Sequence, residues 1–195
     1  YTDRMRTGAP GKSIWMVLQG FGWADINEDI RNAPDPQKGR QPIYHESRFM
    51  AYDALVHGAN AILYWGTYVI PKDSNLWNDL MKISRQIRAL EPAIVGKRPD
   101  SAPISIADET YGSIDSQGPL LMLRQSGPDW VLIAVNEHIH GISFEISNLP
   151  TSLEDKTLYR LYSDESHQVR NTGFRDGIRS FDVHIYATSR RFEVQ

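Results

Sequence analysis

The stretch from Gly58 to Tyr68 constrains the fold more than any other part of this sequence. It reads Gly-Ala-Asn-Ala-Ile-Leu-Tyr-Trp-Gly-Thr-Tyr, a short apolar run in which apolar and polar residues do not alternate. Such a run predicts a strand buried on both faces, as in a parallel sheet covered by helices. Ligands bind at the carboxyl ends of strands in such sheets and barrels, so Tyr64, Trp65 and Tyr68 are expected at a crevice. The alternative for Trp65 is a plain core aromatic.

A second run of the same kind lies earlier in the chain. Residues 13–19 are apolar up to Gln19, and the sequence then turns glycine-rich and aromatic as far as Trp23. Between the two runs, residues 45–57 carry apolar side chains at helical spacing, and Gly58 stands where a helix would end. Strands joined by a crossover of this length are expected to be parallel.

The remainder of the first half supplies a loop and a second helix. Residues 24–42 are polar and without a clear period, which predicts a long loop. Residues 76–90 repeat apolar side chains at helical spacing, and Pro92 is expected to end that helix. The first six residues resemble the tail of a helix, so the natural chain is expected to begin upstream.

Beyond residue 97 the period changes. Residues 97–103 have the composition of a linker, and the runs that follow are short and rich in β-branched or aromatic residues. Turn sequences such as Ser126-Gly-Pro-Asp separate them. This spacing predicts an antiparallel sandwich of about seven strands.

Composition excludes several classes of function. The 195-residue chain has a formal net charge of −3 and no basic stripe, which argues against nucleic acid or an anionic membrane as partner. It has no cysteine, hence no disulfide, thiol nucleophile or cysteine-based metal site. No apolar run approaches the roughly 20 residues of a membrane span. A neutral substrate fits this composition better than nucleic acid or an anionic membrane does.

The order of these elements resembles the closing segments of a (β/α)8-barrel glycoside hydrolase with an appended β-sandwich. The resemblance is carried by residues 15–23 (Trp-Met-Val-Leu-Gln-Gly-Phe-Gly-Trp), by residues 46–66 and by the helix that follows. It implies an α/β segment followed by an all-β segment. Residues 1–98 would form part of a (β/α)8 (TIM) barrel and contain its strands seven and eight, and residues 104–195 would form a β-sandwich. A full barrel needs roughly 250 residues, so two strand–helix units cannot close one.

The resemblance also bears on chemistry. Glycoside hydrolysis normally needs two carboxyl groups, and in many barrel glycosidases the nucleophile is a glutamate at the end of strand seven. Here the matching position holds Gln19, whose amide does not ionise. Gln19 can still hydrogen-bond to sugar hydroxyls, while Trp23, Trp65 and Tyr68 offer aromatic faces to a pyranose ring. We therefore expect these four residues to bind substrate, and leave the catalytic residues unassigned.

Other ionisable residues provide weaker candidates. Glu46 lies near a predicted helix start, where a structural role is favoured, and Asp25 lies on the predicted loop, where it is expected to be solvated. His138 and His140 form a His-x-His pair without a third ligand. No metal site and no cofactor are predicted.

The leading hypothesis is a C-terminal fragment of a glycoside hydrolase acting on oligo- or polysaccharide, itself inactive because it lacks the catalytic pair. The alternative is a non-catalytic carbohydrate-binding or assembly module. Expected partners are carbohydrate and either the missing N-terminal barrel portion or a second copy of the chain. The sequence does not determine the cellular compartment, and a secreted or periplasmic location is favoured over the cytoplasm.

Overall fold

The computed structural model describes residues 1–32, 35, 37–108 and 117–194. It is a mixed α/β structure whose sheets are mostly antiparallel. The helices are α1 (Thr2–Gly8), α2 (Trp23–Ile26), α3 (Glu28–Arg31), α4 (Tyr44–Val56) and α5 (Asn75–Ile94). The strands are β1 (Trp15–Gln19), β2 (Ala61–Trp65), β3 (Ile104–Ala107), β4 (Leu120–Ser126), β5 (Asp129–Val135), β6 (Ile142–Ser147), β7 (Thr157–Arg160), β8 (Ser166–Gln168), β9 (Phe174–Ile178) and β10 (Val183–Ala187). Among the helices so described, none combines the length and apolarity that a bilayer crossing requires.

The chain divides into two compact units, Tyr1–Arg85 and Gln86–Gln195, hereafter unit 1 and unit 2. The division falls within α5. The domain bounds 1–98 and 104–195 drawn from the sequence remain a prediction.

Unit 1 contains a two-stranded parallel sheet, as the long crossover predicts. β1 pairs with β2 from Trp15↔Ala61 to Gln19↔Trp65, with Val17 opposite Leu63. The crossover helix α4 contacts both strands. The strand–helix–strand order inferred from the sequence is therefore confirmed.

The prediction that both strands are buried on both faces is wrong. Side chains alternate across a strand, and the face that carries Leu18 and Tyr64 is covered: Leu18 is buried, and Tyr64 packs against Leu76 and Leu80 of α5. The opposite face carries Val17 and other large apolar side chains, all substantially exposed: Trp15, Leu63 and Trp65. Within unit 1 the helices cover only one face of the sheet.

Two further expectations for unit 1 need correction. The predicted loop over residues 24–42 contains α2 and α3, and the Asn27 side chain caps α3 by accepting from the amides of Asp29 and Ile30. Three of the loop's residues lie outside the described part of the chain. The second helix passes through Pro92 and ends at Ile94, because a proline in the last turn removes only one backbone hydrogen bond.

Unit 2 holds two antiparallel sheets. The five-stranded sheet has the order β4-β5-β10-β7-β8, and the three-stranded sheet has the order β3-β6-β9. One apolar cluster takes side chains from both sheets, among them Leu132 and Tyr186 from the first and Phe144 and Ile178 from the second. The sequence predicted most of these strands but missed β8 and β9, which a tight turn at Asn171 and Thr172 connects.

Candidate functional site

The carboxyl ends of β1 and β2 bring two of the predicted site residues together. Gln19 is the last residue of β1 and lies directly opposite Trp65, the last residue of β2. The Gly20 amide continues the ladder by donating to the Trp65 carbonyl over 2.9 Å. By strand alternation Gln19 and Trp65 lie on the open face of the sheet, together with Val17.

Glycines make room for the aromatic residues that follow these strand ends. Gly66 has φ +83°, and a Cβ there would lie 2.4 Å from Cδ1 of Phe21. A Cβ on Gly20 would lie 2.7 Å from Cγ2 of Thr67 and 2.9 Å from the Trp65 carbonyl oxygen. Any side chain at either position would displace its neighbours. The two glycines therefore allow the segments after β1 and β2 to pack closely.

Phe21 is the buried centre of an aromatic cluster at this end of the sheet. Its ring meets the rings of Trp23 and Trp65 edge-on, with centroid separations of 5.0 Å in both cases. Trp65 in turn meets Tyr68 edge-on at 6.2 Å. The three outer residues, which we call the aromatic rim, remain accessible: Trp23 is 52 % exposed, Trp65 49 % and Tyr68 77 %. Their exposure leaves part of each ring accessible to a ligand.

The amide of Gln19 is oriented by one hydrogen bond. Its Nε2 donates to the Phe21 carbonyl over 2.8 Å. A glutamine amide has two N–H donors and a carbonyl acceptor, so this contact fixes the side chain while using only one donor. Gln19 is thus held beside the aromatic rim with polar capacity to spare.

Helix α2, which begins at Trp23, is fastened by Asp25 in its first turn. Its Oδ2 accepts from the Gly22 amide at 2.7 Å and from Nε2 of Gln41 at 2.9 Å. The Ala24 amide donates to the Gly39 carbonyl over 3.0 Å. The expectation that Asp25 is merely solvated is therefore wrong, because a carboxylate at the start of a short helix satisfies free backbone amides.

Glu46 has the structural contacts expected of an acid at a helix start. Its Oε2 accepts from the Ile43 amide at 3.0 Å and from Nη1 of Arg40 at 2.7 Å. The hydrogen bond from Arg40 holds the pKa of Glu46 below its ordinary value. This carboxylate caps α4.

Tyr64 lies beneath the site on the covered face of β2, so the expectation that it faces the crevice is wrong. Burial raises the pKa of Tyr64 to about 12. Its hydroxyl is buried and has no hydrogen-bond partner among the described residues. Tyr64 therefore acts as an apolar support for the strand end.

The four predicted site residues offer aromatic rings and one amide but no carboxyl group. Glycoside hydrolysis, by contrast, normally needs a carboxyl pair. Sequence reasoning missed Phe21, which orders the rim, and Gln41, which braces helix α2. The Gly-Phe-Gly spacing at residues 20–22 was the available signal for the former.

No protein-family model and no curated protein sequence matches this chain. Solved structures do: an α-amylase from Geobacillus thermoleovorans in complex with acarbose is similar with a TM-score of 0.54 and 15% identity, over 90% of this chain and 38% of that one. The amylase AmyP in complex with maltose gives 0.53 and 14%, over 95% and 43%. A noncanonic maltogenic α-amylase, AmyB from Thermotoga neapolitana, gives 0.53 and 10%, over 94% and 43%.

These likenesses define the class of fold. The chain has the fold of part of an α-amylase-type glycoside hydrolase, and it spans about two fifths of the length of the structures it matches. The resemblance to part of a glycoside hydrolase, inferred from the order of elements, is confirmed at the level of fold.

Proposed function

We propose that this chain is the closing part of a (β/α)8-barrel glycoside hydrolase, with β1 and β2 as the last two barrel strands and unit 2 as an appended β-sandwich. The observation that carries the proposal is the parallel register of β1 and β2, in which Gln19 and Trp65 meet at the carboxyl ends. Barrel enzymes place their active sites at that end. A secreted or periplasmic location belongs to the same proposal, and fractionation of the source cells would test it.

Within such an enzyme the contribution of unit 1 is a sugar-binding surface. The aromatic rim supplies flat apolar faces, and Gln19 supplies a directed amide, the combination that sugar sites use. The substrate class is oligo- or polysaccharide. An α-glucan is the first ligand to test, because similar structures hold maltose and maltotriose.

The chain by itself is not expected to hydrolyse glycosides. Gln19 stands where the resemblance would place an ionisable nucleophile, and the two carboxyl groups are assigned to strands outside this sequence. Incubation of the purified chain with activated aryl glycosides checks this. Turnover above that of a heat-denatured sample would refute it.

The open face of the two-stranded sheet is the reason to propose a polypeptide partner. Val17 and Leu63 are exposed side by side on a parallel pair, an arrangement that barrel interiors normally bury. We assign this face to the remaining barrel strands. The alternative is that a second copy of the chain covers the same face. A chain that stays monomeric across a range of concentrations in size-exclusion chromatography would argue against this alternative.

Calorimetric titration with maltotriose tests the sugar surface. Trp65→Ala is expected to weaken binding at least tenfold, because stacking on an aromatic face is lost. Trp15→Ala is the matched control: Trp15 is exposed on the same face but begins β1, about 13 Å from its carboxyl end. Equal binding by the wild type and Trp65→Ala would contradict the proposal and would favour unit 2 as the carbohydrate-binding part.

A further inference from the structure

Unit 2 brings three potential metal ligands together at the junction of β8 and β9. Glu165 immediately precedes β8, His167 lies within it, and Asp176 lies within β9. One ligand atom from each of these residues lies within 4.8 Å of the others. We call them the acid–histidine cluster. β8 belongs to the five-stranded sheet and β9 to the three-stranded one, so the cluster connects the two sheets.

The contact between His167 and Asp176 is longer than an ordinary hydrogen bond. Nε2 of His167 lies 3.3 Å from Oδ2 of Asp176. The same nitrogen is buried and has no hydrogen-bond partner among the described residues. A neutral imidazole that presents its lone pair to a carboxylate oxygen is repelled by it, unless a cation lies between them. Either a proton on Nε2 or a metal cation between the two atoms makes this contact favourable.

The separation of the two atoms matches a zinc site. Zinc binds imidazole nitrogen at roughly 2.0–2.1 Å and carboxylate oxygen at about 2.0–2.2 Å, with tetrahedral geometry. Neighbouring ligand atoms in such a tetrahedron are about 3.3–3.4 Å apart. The observed 3.3 Å between Nε2 and Oδ2 equals one edge of that tetrahedron.

The surrounding groups hold both ligands in place. Tyr186 donates its hydroxyl to Oδ2 of Asp176 over 2.6 Å, and the Gly177 amide donates to Oδ1 over 2.7 Å. The His167 ring stacks on Phe174 with a centroid separation of 5.0 Å and an interplanar angle of 30°. Contacts of this kind orient the residues that bind a metal ion, and they are typical of metal sites in proteins.

Charge and access also favour a cation. Arg160 already pairs with Glu165 and places Nη1 3.5 Å from Oδ2 of Asp176. Two carboxylates and one guanidinium leave one net negative charge when the imidazoles are neutral. His167 lines an open cavity of about 450 Å³, and the Glu165 side chain is 57 % exposed. An ion can enter from solvent, in competition with Arg160.

We propose that the acid–histidine cluster is a binding site for a divalent cation of the zinc type, with Glu165, His167 and Asp176 as its ligands. The ion joins β8 to β9 and so ties the edge of one sheet to the other. Its role is structural, and it is independent of the sugar surface in unit 1.

The test uses the full chain, freed of metal with a chelator and then dialysed. Titration with zinc chloride is followed by calorimetry and by the melting temperature. We expect one zinc per chain and a rise in the melting temperature. Replacement of zinc by Co²⁺ should give the visible absorption of a four-coordinate ion.

Three variants make the result specific. Glu165→Gln changes an exposed side chain, so it should fold, and it should weaken zinc binding about tenfold or more, because loss of even an outer contact that supports a metal ligand costs that much. Glu145→Gln is the matched control, because Glu145 is an exposed acid paired with Arg175 in the same sheet region, and zinc affinity should not change. Arg160→Gln removes the competing cation and should tighten binding. A wild-type chain that takes up no stoichiometric zinc, or equal zinc binding by Glu165→Gln, would overturn the proposal.

Discussion

Tyr64 and Asp176 are both largely buried ionisable residues, and their surroundings move their pKa values in opposite directions. Burial raises the pKa of Tyr64 to about 12, because no group of the described residues near its hydroxyl compensates. Burial also opposes ionisation of Asp176, but its contacts with His167, His184 and Tyr186 together hold the pKa of that carboxyl well below its ordinary range. The pH dependence of stability should therefore differ between the two units.

Tyr64→Phe is expected to leave stability at neutral pH unchanged or to raise it by about 1 kcal/mol, since the buried hydroxyl gains no hydrogen bond in the described structure. In alkali the difference should grow. The unfolded chain loses the phenolic proton near pH 10 whereas the folded chain keeps it to about pH 12, so the wild type loses stability across that window. Urea unfolding at pH 7 and pH 11 measures both effects. Lower stability of the variant at pH 7 would show that the hydroxyl is satisfied.

Asp176→Asn is expected to destabilise unit 2 by about 3 kcal/mol at pH 7, because it leaves Arg160 and its neighbours without a buried counter-charge. A lowered folded pKa contributes stability above the unfolded value of about 3.9, and this contribution is lost as pH falls further. The gap between wild type and variant should therefore narrow below pH 4. Melting temperatures measured in chelator between pH 7 and pH 3 check this, and a gap that stays constant would contradict it.

At this scale the sequence identified the rim but not the cluster in unit 2. Gln19 and Trp65 could be located because each ends an apolar run, and parallel strands end at the same edge of a sheet. His167 and Asp176 gave no such signal. They meet only because a turn with Asn171 and Thr172 at its centre, both with positive φ, folds β9 back beside β8.

Among the elements, the ends of β1 and β2 carry the strongest local constraint. Gly66 combines a positive φ with close contact against Phe21. Any side chain at this position would therefore strain the backbone and would also clash with the Phe21 ring. Gly127, in the β4–β5 turn, has φ +61° but nothing within 4 Å of a Cβ. Comparing substitutions at the two glycines therefore distinguishes the cost of backbone strain alone from the cost of strain together with crowding.

Gly127→Ala should cost about 1 kcal/mol, the usual penalty for a left-handed residue other than glycine. Gly66→Ala should cost clearly more, because Phe21 must move as well. It should also alter the near-ultraviolet circular dichroism of the aromatic cluster, which Gly127→Ala should leave intact. Denaturant unfolding of both variants gives the comparison. Equal costs would mean that Phe21 can adapt freely.

Element prediction succeeded where period and crossover length decide, and failed where burial depends on distant parts of a chain. α4 and the parallel pairing followed from spacing. The expectation of two buried faces failed because Val17 and Leu63 are apolar in sequence whether or not anything covers them. α2 and α3 were missed because each has only four residues, too few to show a period.

For the whole molecule, fold and function rest on different grounds. The fold is similar to about two fifths of several α-amylases. The sugar surface, by contrast, is proposed from the position of Gln19 and the aromatic rim. The proposed function therefore depends on whether carbohydrate contacts those residues.

The most direct measurement is the ¹H–¹⁵N spectrum of the tryptophan indoles during titration with maltotriose, with each signal assigned from single Trp→Phe variants. The chain has five tryptophans, so every indole can be followed. The proposed surface predicts that Trp23 and Trp65 shift, while Trp15 at the opposite end of the sheet and Trp130 in unit 2 do not. Unchanged Trp23 and Trp65 signals at saturating sugar, or shifts confined to Trp15 or Trp130, would contradict it.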